Sequence, residues 1–207
     1  MNNLFLLALC SVALVSCQPG TKNKTIETTY VKDSVEVSKK NLNFQWDAAT
    51  IYFLLTDRFY NGNTNNDLNF DRNEQTGKLR GFMGGDLQGI TEKIKDGYFS
   101  RLGVNAIWFT PVIEQIHGAT DEGTGNTYAY HGYWAKDWTA LDPNFGTAKD
   151  LETLVKTAHN NGIRILLDVV LNHTGPVTGE DPVWPEEWVR TSPTCEFTTY
   201  ENTTKCT

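Results

Sequence analysis

Ile163-Arg164-Ile165-Leu166-Leu167-Asp168-Val169-Val170-Leu171-Asn172-His173 is the stretch on which the fold turns. Its first part, Ile163 to Val170, is a short apolar run, and its end is polar. Such a run suits a strand buried on both faces, as in a parallel sheet. Two similar runs precede it, Ala49-Thr50-Ile51-Tyr52-Phe53-Leu54-Leu55 and Asn105-Ala106-Ile107-Trp108-Phe109. The stretches between them have helical spacing. Ile90, Ile94, Phe99 and Leu102 fall along one face, and Gly103 can end that helix in the left-handed conformation. Thr147 is placed to cap a second helix, with Asp150 three residues on. Leu151, Leu154, Val155 and Ala158 then follow at i, i+3, i+4 and i+7, as far as Gly162. The predicted order is β-α-β-α-β, with right-handed crossovers.

The connections are lopsided. Helix-to-strand links, around Gly103 and Gly162, are short. Strand-to-helix links run from Thr56 to Gly89 and from Thr110 to Gly146, and a third begins at Leu171. Long loops in a compact domain are usually functional. Because all of these follow strands, they crowd one face, as in a TIM (β/α)8 barrel, whose site is built on that face. A doubly wound sheet also places ligands at strand C-termini, but no Gly-rich phosphate loop follows the first strand. The chain has 207 residues, fewer than the roughly 250 of a complete barrel. The expected fold class is therefore α/β, with about three β/α units forming the N-terminal part of a TIM barrel.

Composition bounds the partners. The chain is 39% hydrophobic and 12% aromatic, enough for a real core, and its net charge of −7 has no long run of either sign. That argues against nucleic acid. Met1 to Ser16 is almost wholly apolar and too short to span a bilayer, so residues 1–16 read as a signal peptide. Leu14-Val15-Ser16-Cys17 resembles a bacterial lipobox with Cys17 as the acylated first residue, although Met1-Asn2-Asn3 lacks the usual Lys or Arg. A plain signal peptide and a buried N-terminal helix are the alternatives. Residues 17–43 are polar and read as a lipid-anchored tether, and folded sequence begins near Phe44. The expected location is a bacterial membrane lipoprotein, exported and facing the periplasm or the cell surface. Cleavage removes Cys10 and lipid occupies Cys17, which leaves Cys195 and Cys206. An exported protein favours a disulfide between them, with two free thiols as the alternative.

Three places carry chemistry. Asn61-Gly62-Asn63-Thr64-Asn65-Asn66-Asp67 packs amide and carboxylate oxygens into a short turn, as a hard cation such as calcium requires. Asp86, after Gly84-Gly85, can return to the same place. It is not an EF-hand, and the residues can equally form a turn whose side chains bond their own backbone. Tyr128-Ala129-Tyr130-His131-Gly132-Tyr133-Trp134, with Asp137-Trp138, offers aromatic faces beside polar tips, which suits a sugar. The same aromatics can also pack as a satellite core. Asp168, in an apolar strand, is costly unless it is hydrogen-bonded or functional, and a structural Asp held by backbone donors is the other possibility.

Together these places resemble glycoside hydrolase family 13, the α-amylase family. The carriers are DVVLNH (168–173), AYHGYW (129–134), and TDRFYNGN (56–63) with GGDLQG (84–89). Within the family, PVIEQIHG (111–118) and AYHGYWAKDWTALDPNFG (129–146) look most like periplasmic α-amylases, and the calcium pattern also resembles cyclodextrin glucanotransferases. The likeness covers about Phe44 to Gly175. It implies that His131, Asp168 and His173 hydrogen-bond the sugar at the cleavage subsite and that Tyr133 stacks on it. It implies a calcium held by Asn61, Asn63, Asn66, Asp67, the Gly84 carbonyl and Asp86. A second calcium would use Asn172 and join the barrel to a domain inserted after strand three, begun by residues 176–207. The implied activity is retaining hydrolysis of α-1,4-glucans, starch or maltodextrin. The alternatives are a cyclodextrin-forming transglycosylase and a non-catalytic surface glucan-binding protein.

The family mechanism needs an Asp nucleophile and a Glu acid/base about 5 Å apart. Both belong to later strands and are expected beyond Thr207. Asp168 matches the sugar contact, not the nucleophile, so this sequence is expected to be an N-terminal fragment without catalytic carboxylates. Residues 17–207 are expected to release no reducing sugar from soluble starch. Clear release above background would overturn that assignment.

Overall fold

Elements appear in the order β1 (Ile51–Leu54), α1 (Thr56–Phe59), α2 (Leu87–Lys95), α3 (Tyr98–Arg101), β2 (Ala106–Phe109), β3 (Ile113–Gln115), β4 (Thr120–Asp121), β5 (Asn126–Thr127), β6 (Ala135–Leu141), α4 (Ala148–Asn160) and β7 (Arg164–Leu167). The computed structural model describes residues 44–182 and Trp184. Cys17, Cys195, Cys206 and Thr207 lie outside the described residues, and so do the signal peptide, the tether and most of 176–207. The expected lipid anchor, the expected disulfide and the expectation that the catalytic carboxylates follow Thr207 therefore all fall outside them.

β1, β2 and β7 form a parallel sheet in that order, with Tyr52 beside Ile107 and Ile107 beside Ile165. Each crossover is helical, and α2 packs on α4. Ile90, Ile94, Phe99, Ile107, Phe109 and Leu154 are buried between helices and sheet. Among the described residues, helices cover one face of this sheet. Alternation turns Ile51, Phe53 and Trp108 to the other face, where they remain 41–49% exposed. Nothing among the described residues covers them.

Two corrections concern the connections. The first helix is not continuous from Ile90 to Leu102. It stops at Lys95, and the chain pivots at Gly97, whose φ of 79° is left-handed. That pivot resets the helical spacing, so Phe99 stays buried while Leu102 is 52% exposed. The link from Thr110 to Gly146 is also not structureless. β3 pairs antiparallel with β6 through two register shifts, and β4 pairs with β5. The second helix is as expected. The Thr147 side chain accepts from the Asp150 N–H, and the Asp150 carboxylate accepts from the Thr147 N–H at 2.8 Å. Gly103 and Gly162 end their helices with φ of 72° and 74°.

One buried ion pair locks the first long loop to the second. Phe70 and Asp71 adopt left-handed φ of 55° and 54°, a local strain that persists only where the surroundings over-determine it. They deliver Arg72 into the interior. There its guanidinium donates to Asp142 Oδ1 at 2.9 Å and Oδ2 at 2.7 Å, to Asn144 Oδ1 at 2.7 Å, and to the carbonyls of Gln115 and Ile116. Both charged side chains are essentially without solvent exposure. Removing one partner of such a pair strands the other charge. Asp142→Ala is expected to lower the free energy of unfolding by about 3–5 kcal/mol, read from urea denaturation followed by tryptophan fluorescence. A loss under about 1 kcal/mol would show that the two loops are held by something else.

Candidate functional site

β7 ends at Leu167, so Asp168 is the first residue past the C-terminal edge of the sheet. Its Oδ2 accepts from the Tyr133 hydroxyl at 2.9 Å and from Trp108 Nε1 at 3.3 Å. The donors are side chains, not the backbone N–H groups that a purely structural Asp would draw on. His173 Nε2 lies 3.1 Å from the Tyr133 carbonyl. A carbonyl only accepts, so that nitrogen carries the proton. His131 Nδ1 accepts from the Tyr133 N–H at 3.0 Å, and the two rings lie nearly parallel at 6.0 Å. Tyr133 thus joins His131, Asp168 and His173 into one cluster.

The loop carrying Tyr133 is held from behind. Gln115 Oε1 accepts from the Trp134 N–H at 2.8 Å, and the Ile116 N–H donates to the Trp134 carbonyl at 3.0 Å. Ile116, Ala129 and Trp184 form a second small core, with Trp134 and Trp138 against it. The aromatic loop therefore divides: His131 and Tyr133 join the cluster, while Trp134 and Trp138 pack as a satellite core. Burial pushes the His131 imidazole down to about 4; Glu122 opposes the shift and Arg58 adds to it. Burial, then the bond to Asp168 and its charge, pushes the Tyr133 phenol up to about 12. At neutral pH the cluster accordingly holds an uncharged imidazole and a phenol that keeps its proton.

The first loop builds a second cluster. Asn61 Nδ2 donates to both Asp67 oxygens, at 2.8 and 3.0 Å. Asn61 Oδ1 and Asn66 Oδ1 are buried and have no hydrogen-bond partner among the described residues, an arrangement that costs free energy unless something supplies positive charge. Gly84 has φ of 87°, and a Cβ there would sit 2.2 Å from Asn61 Nδ2 and 2.6 Å from Asp67 Oδ1. Its backbone thus comes directly against these side chains. Asn63 Oδ1 accepts from the Asn65 N–H, so part of the segment is the self-bonded turn. Asp86 caps α2 through the Gly89 N–H at 2.6 Å and stitches the loop by accepting from Gly62 and Asn63. Burial raises its carboxyl above the usual range, against those donors. Asn172 is apart from this cluster; it is exposed, with Nδ2 at 3.3 Å from His173 Nδ1. Among the described residues there is no group of three or more His, Cys, Asp or Glu placed to hold a metal, so amide oxygens make up most of the set.

Sequence reasoning missed three contributors. Asp57 is buried, accepts from the Met83 and Gly84 N–H groups and pairs with Arg58. Burial pushes it up to about 6, against the Met83 donor and the Arg58 charge. Arg58 also lies over the Tyr130 ring, 3.8 Å from its centroid. A charged pair directly after an apolar strand is the signal that could have found both. Trp108 was legible only as a strand residue, although alternation alone puts its ring on the open face.

Residues 53–190 match the family model described as "Alpha amylase, catalytic domain". The periplasmic alpha-amylase of Escherichia coli (strain K12) is 51% identical over 142 residues, which cover 67% of this chain and 21% of that protein. The cyclomaltodextrin glucanotransferase of Thermoanaerobacterium thermosulfurigenes is 40% identical over 147 residues, 70% of this chain and 20% of that one. Among solved structures, a cyclomaltodextrin glucanotransferase with a three-domain ABC distribution matches with a TM-score of 0.57 at 40% identity, over 68% of this chain and 29% of its own. The chain spans about a fifth of the length of these curated relatives.

The His131 environment has a measurable consequence. Its folded pKa lies below its ordinary value of 6.5, so below that pH the unfolded chain binds the proton first. Stability linked to His131 is full above about 6.5 and is lost as pH falls through about 4. In an NMR titration its ring is expected to protonate near 4, and a midpoint at 6.5 or above would show that burial does not control it.

Proposed function

The chain belongs to the α-amylase catalytic-domain family, and from that premise we propose that the protein it builds acts on α-1,4-glucans by retaining glycoside hydrolysis. β1, β2 and β7 are then the first three strands of a (β/α)8 barrel, and their C-terminal edge is the face on which such barrels carry their sites. The observation that carries the proposal is the convergence at that edge of Tyr133, Asp168, His131 and His173 on one cluster. Asp168, His131 and His173 hydrogen-bond a glucosyl unit whose apolar face lies on Tyr133. The neutral imidazole of His131 supplies a donor without a charge to desolvate, and the high Tyr133 pKa keeps its hydroxyl bonded to Asp168. The nucleophile and the acid/base belong to strands beyond β7. The domain plan in this proposal is a signal peptide over 1–16, a lipid-anchored tether over 17–43, barrel over 44–175 and the start of an inserted domain over 176–207. Export is supported by the relative named a periplasmic alpha-amylase.

Calcium belongs to the same proposal. The donors fit it: two buried amide oxygens without partners, the Asp67 carboxylate and the close backbone of Gly84 are hard oxygen groups of the kind calcium takes. Asn61, Asn66, Asp67 and Gly84 would hold the ion, with Asn63 and Asp86 shaping the loop around it, and Asn172 would serve a second ion. A bound cation neutralises the unpartnered oxygens and offsets the entropy of closing the loop.

A cyclodextrin-forming transglycosylase is the second reading, favoured by the glucanotransferase relatives and the matching solved structure. Product analysis on maltoheptaose, with a polypeptide carrying this chain within a whole barrel, separates the two. Linear maltooligosaccharides are expected, cyclic products would support transglycosylation, and glucan binding without turnover would sink both. In the same polypeptide a chelator is expected to lower the melting temperature and calcium to restore it. Asn66→Ala should abolish most of that calcium-dependent shift, whereas Asp86→Ala lowers melting with or without calcium because it also removes a helix cap, worth about 0.5–2 kcal/mol. Asn172→Ala should lower both stability and turnover. A calcium titration with no heat and no melting shift would remove the ion from the proposal.

A further inference from the structure

We propose that Trp108 is a positioning residue for Asp168, acting through its indole N–H. This rests on the reading of Asp168 as a sugar contact. Trp108 lies in β2, opposite Phe53 in β1 and Leu166 in β7. Alternation along the strand turns its ring to the open face of the sheet, where it is 41% exposed. Phe53 meets it edge-on, with centroids 4.8 Å apart and an interplanar angle of 64°, which fixes the plane of the indole. From that plane Nε1 reaches Asp168 Oδ2 at 3.3 Å. An indole N–H is only ever a donor, so the carboxylate must be the acceptor.

The second donor gives this bond its meaning. Tyr133 donates to the same Oδ2 at 2.9 Å from the long loop that follows β2. A carboxylate turns broadly about its terminal torsion, and a single donor leaves it free to swing about that contact. Two donors from different elements, one on a strand and one on a loop, define where both oxygens lie. Oδ2 is filled by them, while Oδ1 accepts no hydrogen bond from the described residues. The result is a carboxylate with one oxygen anchored and the other kept for a ligand hydroxyl. Orientation is set before binding, so the ordering of Asp168 is not charged against affinity. A tryptophan serving only to fill space on this face needs no polar partner. Phenylalanine would satisfy that role and would not satisfy this one.

The test uses Trp108→Phe in a polypeptide carrying this chain within a whole barrel. The substitution keeps the contact with Phe53 and removes the donor. kcat/KM on maltoheptaose is expected to fall about tenfold, the size of effect that goes with one hydrogen bond to a charged group, with melting unchanged. In an Asp168→Ala background the same substitution should cost nothing further, because the group it positions is gone. An equal loss in both backgrounds, or no loss in the parent, would overturn the proposal. Asp168→Ala alone tests the underlying reading. If it leaves kcat/KM intact, Asp168 is not a sugar contact and the proposal falls with that reading. A damaging Asp168→Ala beside a silent Trp108→Phe sinks the positioning role only. Should Trp108→Phe fold poorly, the nitrogen-15 spectrum of the otherwise unaltered protein decides: the Trp108 indole proton is expected to move upfield in Asp168→Ala, and an unmoved resonance means there is no bond.

Discussion

Arg72 and Asp142 are separated by 70 residues and meet in the interior with both charges removed from water. A guanidinium in that position must spend its donors on groups that cannot move away, and here those groups come from the whole second loop. Asp142 is also held by the Gln115 N–H at 3.0 Å and the Asn144 N–H at 3.0 Å. Asn144 in turn donates to the Asp67 carbonyl at 2.7 Å. Gln115 reaches the other way, to Trp134 and so to the loop of Tyr133. One desolvated pair therefore stands between the oxygen-rich turn and the Asp168 cluster, and both depend on it for their backbone course. Burying an ion pair is rarely the cheapest route to stability. Fixing two long loops in one mutual register is a better account of it.

Much of the scaffold was legible because its causes are local. The apolar runs that become β1, β2 and β7 are short, continuous and bounded by polar sequence, and the Thr147–Asp150 cap closes within a single turn. The membership of the Asp168 cluster was legible as well, from motifs along the chain. Its wiring was not. Nothing in the spacing of Tyr133 and Trp108 says that both will end on one oxygen of Asp168, because that depends on how β2 and the following loop curl over the sheet edge. The β3–β6 ribbon escaped for a related reason. With only three residues in β3 and two register shifts, it has no stretch of regular alternation long enough to be recognised. Leu102 failed through one residue, since the left-handed Gly97 rotates everything after it.

The two clusters solve opposite problems with similar parts. Around Asp168, side chains from a strand and a loop converge on one oxygen at an exposed edge of the sheet and leave the other without a donor among the described residues. Around Asn61 and Asn66, the leftover oxygens are sealed from solvent. A free acceptor at an exposed edge waits for an exchangeable ligand, because water can take its place at little cost. A free acceptor in the interior has no such substitute.

The uncovered face carrying Ile51, Phe53 and Trp108 also has a meaning in time. In a whole barrel, strands made later must close over that face, yet β1, β2 and β7 already pair with one another in register. At typical synthesis rates the ribosome takes on the order of ten seconds to make the stretch from Ile51 to Leu167, far longer than local helices and hairpins need to form. A nascent chain of this kind can therefore display a finished sheet with a greasy side before its cover exists. For a polypeptide exported through a membrane unfolded, early pairing is a hazard twice over: it exposes a sticky surface and it resists threading. Phe53 and Trp108 are the large side chains that such an uncovered sheet leaves on its open face.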